Sequence, residues 1–78
     1  MTVDELHKLL LKKEVPNDAY NFKEEYPNES YCIIKKGFFW EVYYSERGNK
    51  NELRIFFSES KACKYFIKLI KCSFDIDY

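Results

Sequence analysis

Phe38-Phe39-Trp40-Glu41-Val42-Tyr43-Tyr44-Ser45-Glu46, followed at once by Arg47-Gly48, is the stretch on which the fold turns. Trp40, Val42 and Tyr44 alternate with Phe39, Glu41 and Tyr43, the two-residue period of a strand with distinct faces. Just before it, Lys36-Gly37 reads as a tight turn, with glycine supplying a positive φ. Ser30 to Lys35, holding Tyr31, Cys32, Ile33 and Ile34, is then the partner strand. On the other side, Arg47 to Asn51 reads as a polar turn and Leu53 to Phe57 as a third strand. Connections this short between strands force an antiparallel meander.

If Lys36-Gly37 closes the first hairpin, Ile33 stands opposite Trp40 and Tyr31 opposite Val42. The inward face is then Tyr31, Ile33, Trp40, Val42, Tyr44, Leu53 and Ile55. The outward face is Cys32, Ile34, Phe39, Glu41, Tyr43, Arg54 and Phe56. A slip of one residue on the first strand would exchange its two faces. Ile34, Phe39, Tyr43 and Phe56 would make an outward apolar patch edged by Glu41 and Arg54, the kind of surface that marks interaction sites. Either that patch is exposed, or residues 17–29 or the carboxyl-terminal tail cover it.

Helices flank the strands. Thr2 with Glu5 three residues on makes a capping box, and Val3, Leu6, Leu9 and Leu10 follow at helical spacing. Pro16 ends this element near Lys13. Residues 17–29 show no period and read as an ordered connection pinned by Tyr20, Phe22 and Tyr26. Ser58 caps a second helix, where Ala62, Cys63, Phe66, Ile67, Leu69 and Ile70 form a wide apolar stripe and Lys61, Lys64, Lys68 and Lys71 fall mostly on the far side. The expected fold is α+β, in the order α-β-β-β-α: a three-stranded antiparallel sheet with two helices on one face.

The chain of 78 residues, read as one domain over residues 1–78, carries seven Tyr, seven Phe and one Trp, and thirteen acidic side chains balance thirteen basic ones. So short a chain buries a modest fraction of its surface, and large rings build a core from few residues. Charge balance argues against nucleic acid as partner. The distribution is uneven: Glu14, Asp18, Glu24, Glu25 and Glu29 make the region before the strands acidic, whereas the last helix is basic. Three cysteines without a CxxC pattern, no signal-like amino terminus and no apolar run of membrane-spanning length point to reduced thiols, no membrane association and a cytoplasmic address.

The residues suggest no catalytic centre. His7 is the sole histidine, the thiols are dispersed, and Gly37 and Gly48 read as strand turns and not as a phosphate loop. Neither metal, cofactor nor small-molecule substrate is expected, and the chain reads as a binding protein and not an enzyme. The order α-β-β-β-α also belongs to double-stranded-RNA-binding domains, which keeps an RNA-binding module as the alternative. Paired lysines at the helix start and a Gly-rich loop are missing from that pattern. An open strand edge can also pair with a second copy of the chain.

The run Trp40-Glu41-Val42-Tyr43-Tyr44-Ser45-Glu46-Arg47-Gly48, with Tyr31-Cys32-Ile33 before it and Phe56-Phe57-Ser58-Glu59-Ser60-Lys61-Ala62-Cys63 after, resembles small bacterial immunity proteins over roughly residues 26–68. Such proteins are encoded beside polymorphic or contact-dependent growth-inhibition toxins and neutralise the cognate toxin domain, in many cases a nuclease, in the cytoplasm. What the resemblance implies is a protein partner with a basic cleft, met by carboxylates standing where substrate phosphates would lie. Aromatic side chains make strong anchors and charge complementarity raises the rate and specificity of association. The partner-binding residues expected on this basis are Glu24, Glu25, Glu29, Phe39, Glu41, Tyr43 and Glu46; Trp40, Val42 and Tyr44 are expected to pack in the core.

Overall fold

The computed structural model describes residues 1–23 and 29–74. The elements run α1 (Val3–Lys12), a 3-10 turn (Asn17–Ala19), β1 (Tyr20–Asn21), β2 (Ser30–Lys36), β3 (Phe39–Glu46), β4 (Asn49–Phe56) and α2 (Glu59–Phe74). The fold is α+β, but the sheet has four strands and is mixed: β1 pairs parallel to β2, and the antiparallel pairs β2–β3 and β3–β4 complete the order β1-β2-β3-β4. The expected three-stranded antiparallel sheet lacked β1 because two residues carry no readable period. Buried Tyr20 anchors β1, and the Ser30 hydroxyl donates to the Asp18 carbonyl at 2.8 Å, tying the 3-10 turn to β2.

Local chemistry sets both ends of α1. The Thr2 hydroxyl accepts from the Glu5 N–H while the Glu5 carboxylate accepts from the Thr2 N–H at 2.8 Å, completing the capping box. These hydrogen bonds hold the Glu5 carboxyl below its ordinary range. At the other end, Glu14 sits at φ +58°, the Val15 N–H donates to the Leu10 carbonyl and the Glu14 N–H to the Leu11 carbonyl, both at 3.1 Å. That is a Schellman motif, and buried Val15 and Leu10 supply its usual apolar contact. Glu59, in the first turn of α2, accepts from the Val3 N–H at 2.9 Å, so the start of α2 satisfies an orphan donor at the start of α1.

Leu6 and Leu10 of α1, Ile33 and Val42 of the sheet, and Ala62, Cys63, Phe66, Ile67 and Ile70 of α2 form one buried core, with both helices on a single face of the sheet. Trp40 is half-buried at the margin of this core. Burial raises the Cys63 thiol to about 11.

Two register findings correct the sequence reading. The first hairpin turns at Gly37-Phe38, not Lys36-Gly37, so Ile33 faces Val42 and Tyr31 faces Tyr44. This shift is two residues, which keeps every side chain of β2 and β3 on its expected face. The second correction is larger. β4 begins directly after a two-residue turn, Arg47-Gly48, whose members both have positive φ as a type I′ turn requires. Its first residues pair Asn49 with Glu46 and Asn51 with Tyr44; then one extra residue enters, and Arg54 pairs with Val42 and Phe56 with Trp40. Glu52, at φ +54°, makes the bulge. Without it Leu53 and Ile55 would face the helices, as expected from sequence. With it they turn outward, and Arg54 and Phe56 turn toward α2.

Candidate functional site

The side of the sheet away from the helices is divided. At its centre Cys32, Ile34 and Tyr43 form a small second buried cluster. The Lys50 ammonium lies 5.1 Å from the centroid of the Tyr43 ring and pairs with the Glu41 carboxylate at 2.9 Å. Burial raises the Cys32 thiol, partly offset by hydrogen bonds with Tyr43 and Asn21. Of the outward patch read as either exposed or covered, Ile34 and Tyr43 are buried, and Phe56 and Arg54 lie on the other face.

What this face does expose lies at the hairpin end. Phe38 occupies the second turn position and is 82% exposed; Phe57, just beyond β4, is 75% exposed. Their rings stack 6.3 Å apart at an interplanar angle of 16°, and Phe39 meets both edge-on at 5.9 and 6.4 Å. Ile55 and Leu53, turned outward by the bulge, continue the strip along β4 at 51% and 41% exposure. Among the described residues β4 is also an edge strand, with β3 as its one neighbour in the sheet. An apolar aromatic cluster beside an edge strand suits contact with a protein partner, through ring burial and strand addition.

The residues singled out from sequence separate into distinct places. Phe39 belongs to the aromatic cluster. Glu41 is largely buried and ion-paired, and Tyr43, fully buried with the Lys50 ammonium over its ring, presents no surface for direct contact. Glu46 and Glu29 are exposed at the opposite end of the sheet, where their charges add to burial in raising the Tyr44 hydroxyl. With Phe39 and Glu46 at the two ends of β3, the aromatic and acidic ends stand about 24 Å apart at the usual rise per residue. Glu24 and Glu25 lie outside the described residues. Phe38, Phe57, Leu53 and Ile55 escaped the sequence reading. A large ring in a turn beside Gly37, and another between a strand and a helix cap, are the signals that could have pointed to the first two.

Among the described residues, no group of three or more His, Cys, Asp or Glu side chains is placed to hold a metal ion, and no helix is long and apolar enough to cross a membrane. Cys32 and Cys63 are free and buried; Cys72 is free and exposed. No family model matches this sequence, no curated protein matches it, and no solved structure matches its fold.

Proposed function

We propose that this chain works by binding another protein, as an immunity protein that neutralises a cognate bacterial toxin domain, of nuclease type, in the cytoplasm. The observation that supports the protein-binding part of this reading is the Phe38–Phe39–Phe57 cluster, with Phe38 and Phe57 exposed, beside the edge strand β4. Two large rings left three-quarters or more in water contribute little to the fold and are well suited to a partner's pocket, where aromatic anchors carry much of the binding energy. The immunity part rests on the resemblance of residues 26–68, and the exposed carboxylates of Glu29 and Glu46 suit a basic cleft that would otherwise take phosphates. In this reading the aromatic end anchors and the acidic end steers.

The test is co-expression with the toxin domain encoded immediately beside this chain. The native chain should protect cells from that domain, and Phe38→Ser with Phe57→Ser should abolish protection while the purified variant keeps its circular dichroism and a cooperative thermal transition. Unaltered toxicity in the presence of the native chain would refute the immunity reading.

A further inference from the structure

The bulge at Glu52 has a second consequence, on the helix-covered side of the sheet. It turns Arg54 and Phe56 toward α2, where the Phe56 ring lies 5.4 Å from that of Tyr65 and the Arg54 guanidinium stands 5.8 Å from the Tyr65 centroid. Between them and the exposed flank of α2 runs a groove of about 300 Å³ lined by Phe56, Lys61, Lys64, Tyr65 and Lys68. The four α2 positions are separated by three, one and three residues, which sets them in one stripe on a helix. The floor is aromatic, and the rim is cationic throughout. Among the described residues no carboxylate lines this groove or pairs with its three lysines.

We propose that the groove binds an acidic protein segment bearing an apolar side chain, the side chain seated on Phe56 and Tyr65 and the flanking carboxylates meeting Lys61, Lys64, Lys68 and Arg54. Charge complementarity selects the occupant. Exposed lysine pairs alone contribute little, and a shallow apolar floor alone does not discriminate, so a ligand must carry both features to gain from both. From Lys61 to Lys68 the helix rises about 10 Å, enough to meet two carboxylates one helical turn or two extended residues apart. Nucleic acid is the poorer fit: the chain has zero formal net charge, and the apolar floor offers few polar groups to base edges. This groove lies on the other face of the sheet from the Phe38–Phe57 cluster, and the inference does not rest on the immunity reading.

The test is a titration of 15N-labelled protein with a synthetic peptide of alternating aspartate and leucine. Its controls are the same peptide with asparagine for aspartate, the same with serine for leucine, and an oligothymidylate. The acidic apolar peptide should give saturable shifts centred on Phe56, Lys61, Lys64, Tyr65 and Lys68, with a Kd of roughly 10–100 µM, the range of a small mixed contact. Lys61→Gln, Lys64→Gln and Lys68→Gln together should weaken it at least tenfold with an unchanged thermal midpoint, and the two control peptides should bind at least tenfold more weakly. Equal binding by either control peptide, an undiminished affinity in the triple variant, shifts centred elsewhere, or tighter binding of the oligothymidylate would each overturn the proposal.

Discussion

The helix-side core and the hairpin end of the sheet use the same side chain for opposite purposes. Phe66 of α2 is fully buried among Leu6, Ile33 and Val42, whereas Phe38 and Phe57 stack on each other in water. The first makes the domain fold. The others leave most of their ring surface in water. A single extra residue in β4 draws the boundary between these regions: it sends Leu53 and Ile55 to the exposed strip and Phe56 to the helix side. On the proposed function, stability and recognition fall to different residues, and substitutions should sort accordingly.

The largest effect is expected in the core. Phe66→Ala should cost about 3–5 kcal/mol, a large share of a small domain's stability, as read by urea denaturation. By contrast, Phe38→Ala or Phe57→Ala should cost no more than about 1 kcal/mol, the value of one stacked aromatic contact. A loss at Phe38 as large as that at Phe66 would mean that the hairpin end is part of the core.

Thiols sharpen the comparison in pH. Burial holds the folded Cys63 thiol up to about 11. The unfolded chain therefore ionises it first, and stability falls as pH rises through the window between the ordinary thiol value and about 11, by about 1.4 kcal/mol per unit from this group. Urea midpoints between pH 8 and 10.5 should fall more steeply in the native chain than in Cys63→Ala. A thiol reagent should label Cys72 rapidly in the folded protein and all three cysteines in urea; fast labelling of Cys63 in the native state would contradict its burial.

Much of the architecture was legible because local chemistry and periodicity agreed. The Thr2–Glu5 capping box, the Ser58 cap and the apolar stripe of α2 all stand as read. The faces of β2 and β3 were also legible, since a turn displaced by two residues preserves alternation. β4 failed for a specific reason: a bulge at a non-glycine residue, Glu52, leaves no composition signal, yet it inverts every side chain beyond it. β1 is too short for a period. At the site, sequence found Phe39 but assigned its neighbours to strands, because exposure of a turn aromatic depends on which residue closes the hairpin.

The smallest effects test the strained backbone that shapes these ends. Glu14 holds a left-handed conformation that glycine adopts without steric penalty. Glu14→Gly should stabilise the domain by about 0.5–1 kcal/mol, visible as a small rise in the thermal midpoint. A loss of stability would place the Glu14 side chain, and not its backbone, in control of the end of α1.

The proposed separation of recognition from folding is tested most directly by mapping amide shifts of the 15N-labelled chain on addition of a purified toxin domain from which the chain protects cells. The strongest perturbations should fall on Phe38, Phe39, Leu53, Ile55 and Phe57, with weaker ones at Glu29 and Glu46 and the Phe66 amide unmoved. Perturbations confined to α2, with Phe38 and Phe57 silent, would contradict the assignment of the aromatic end as the binding surface.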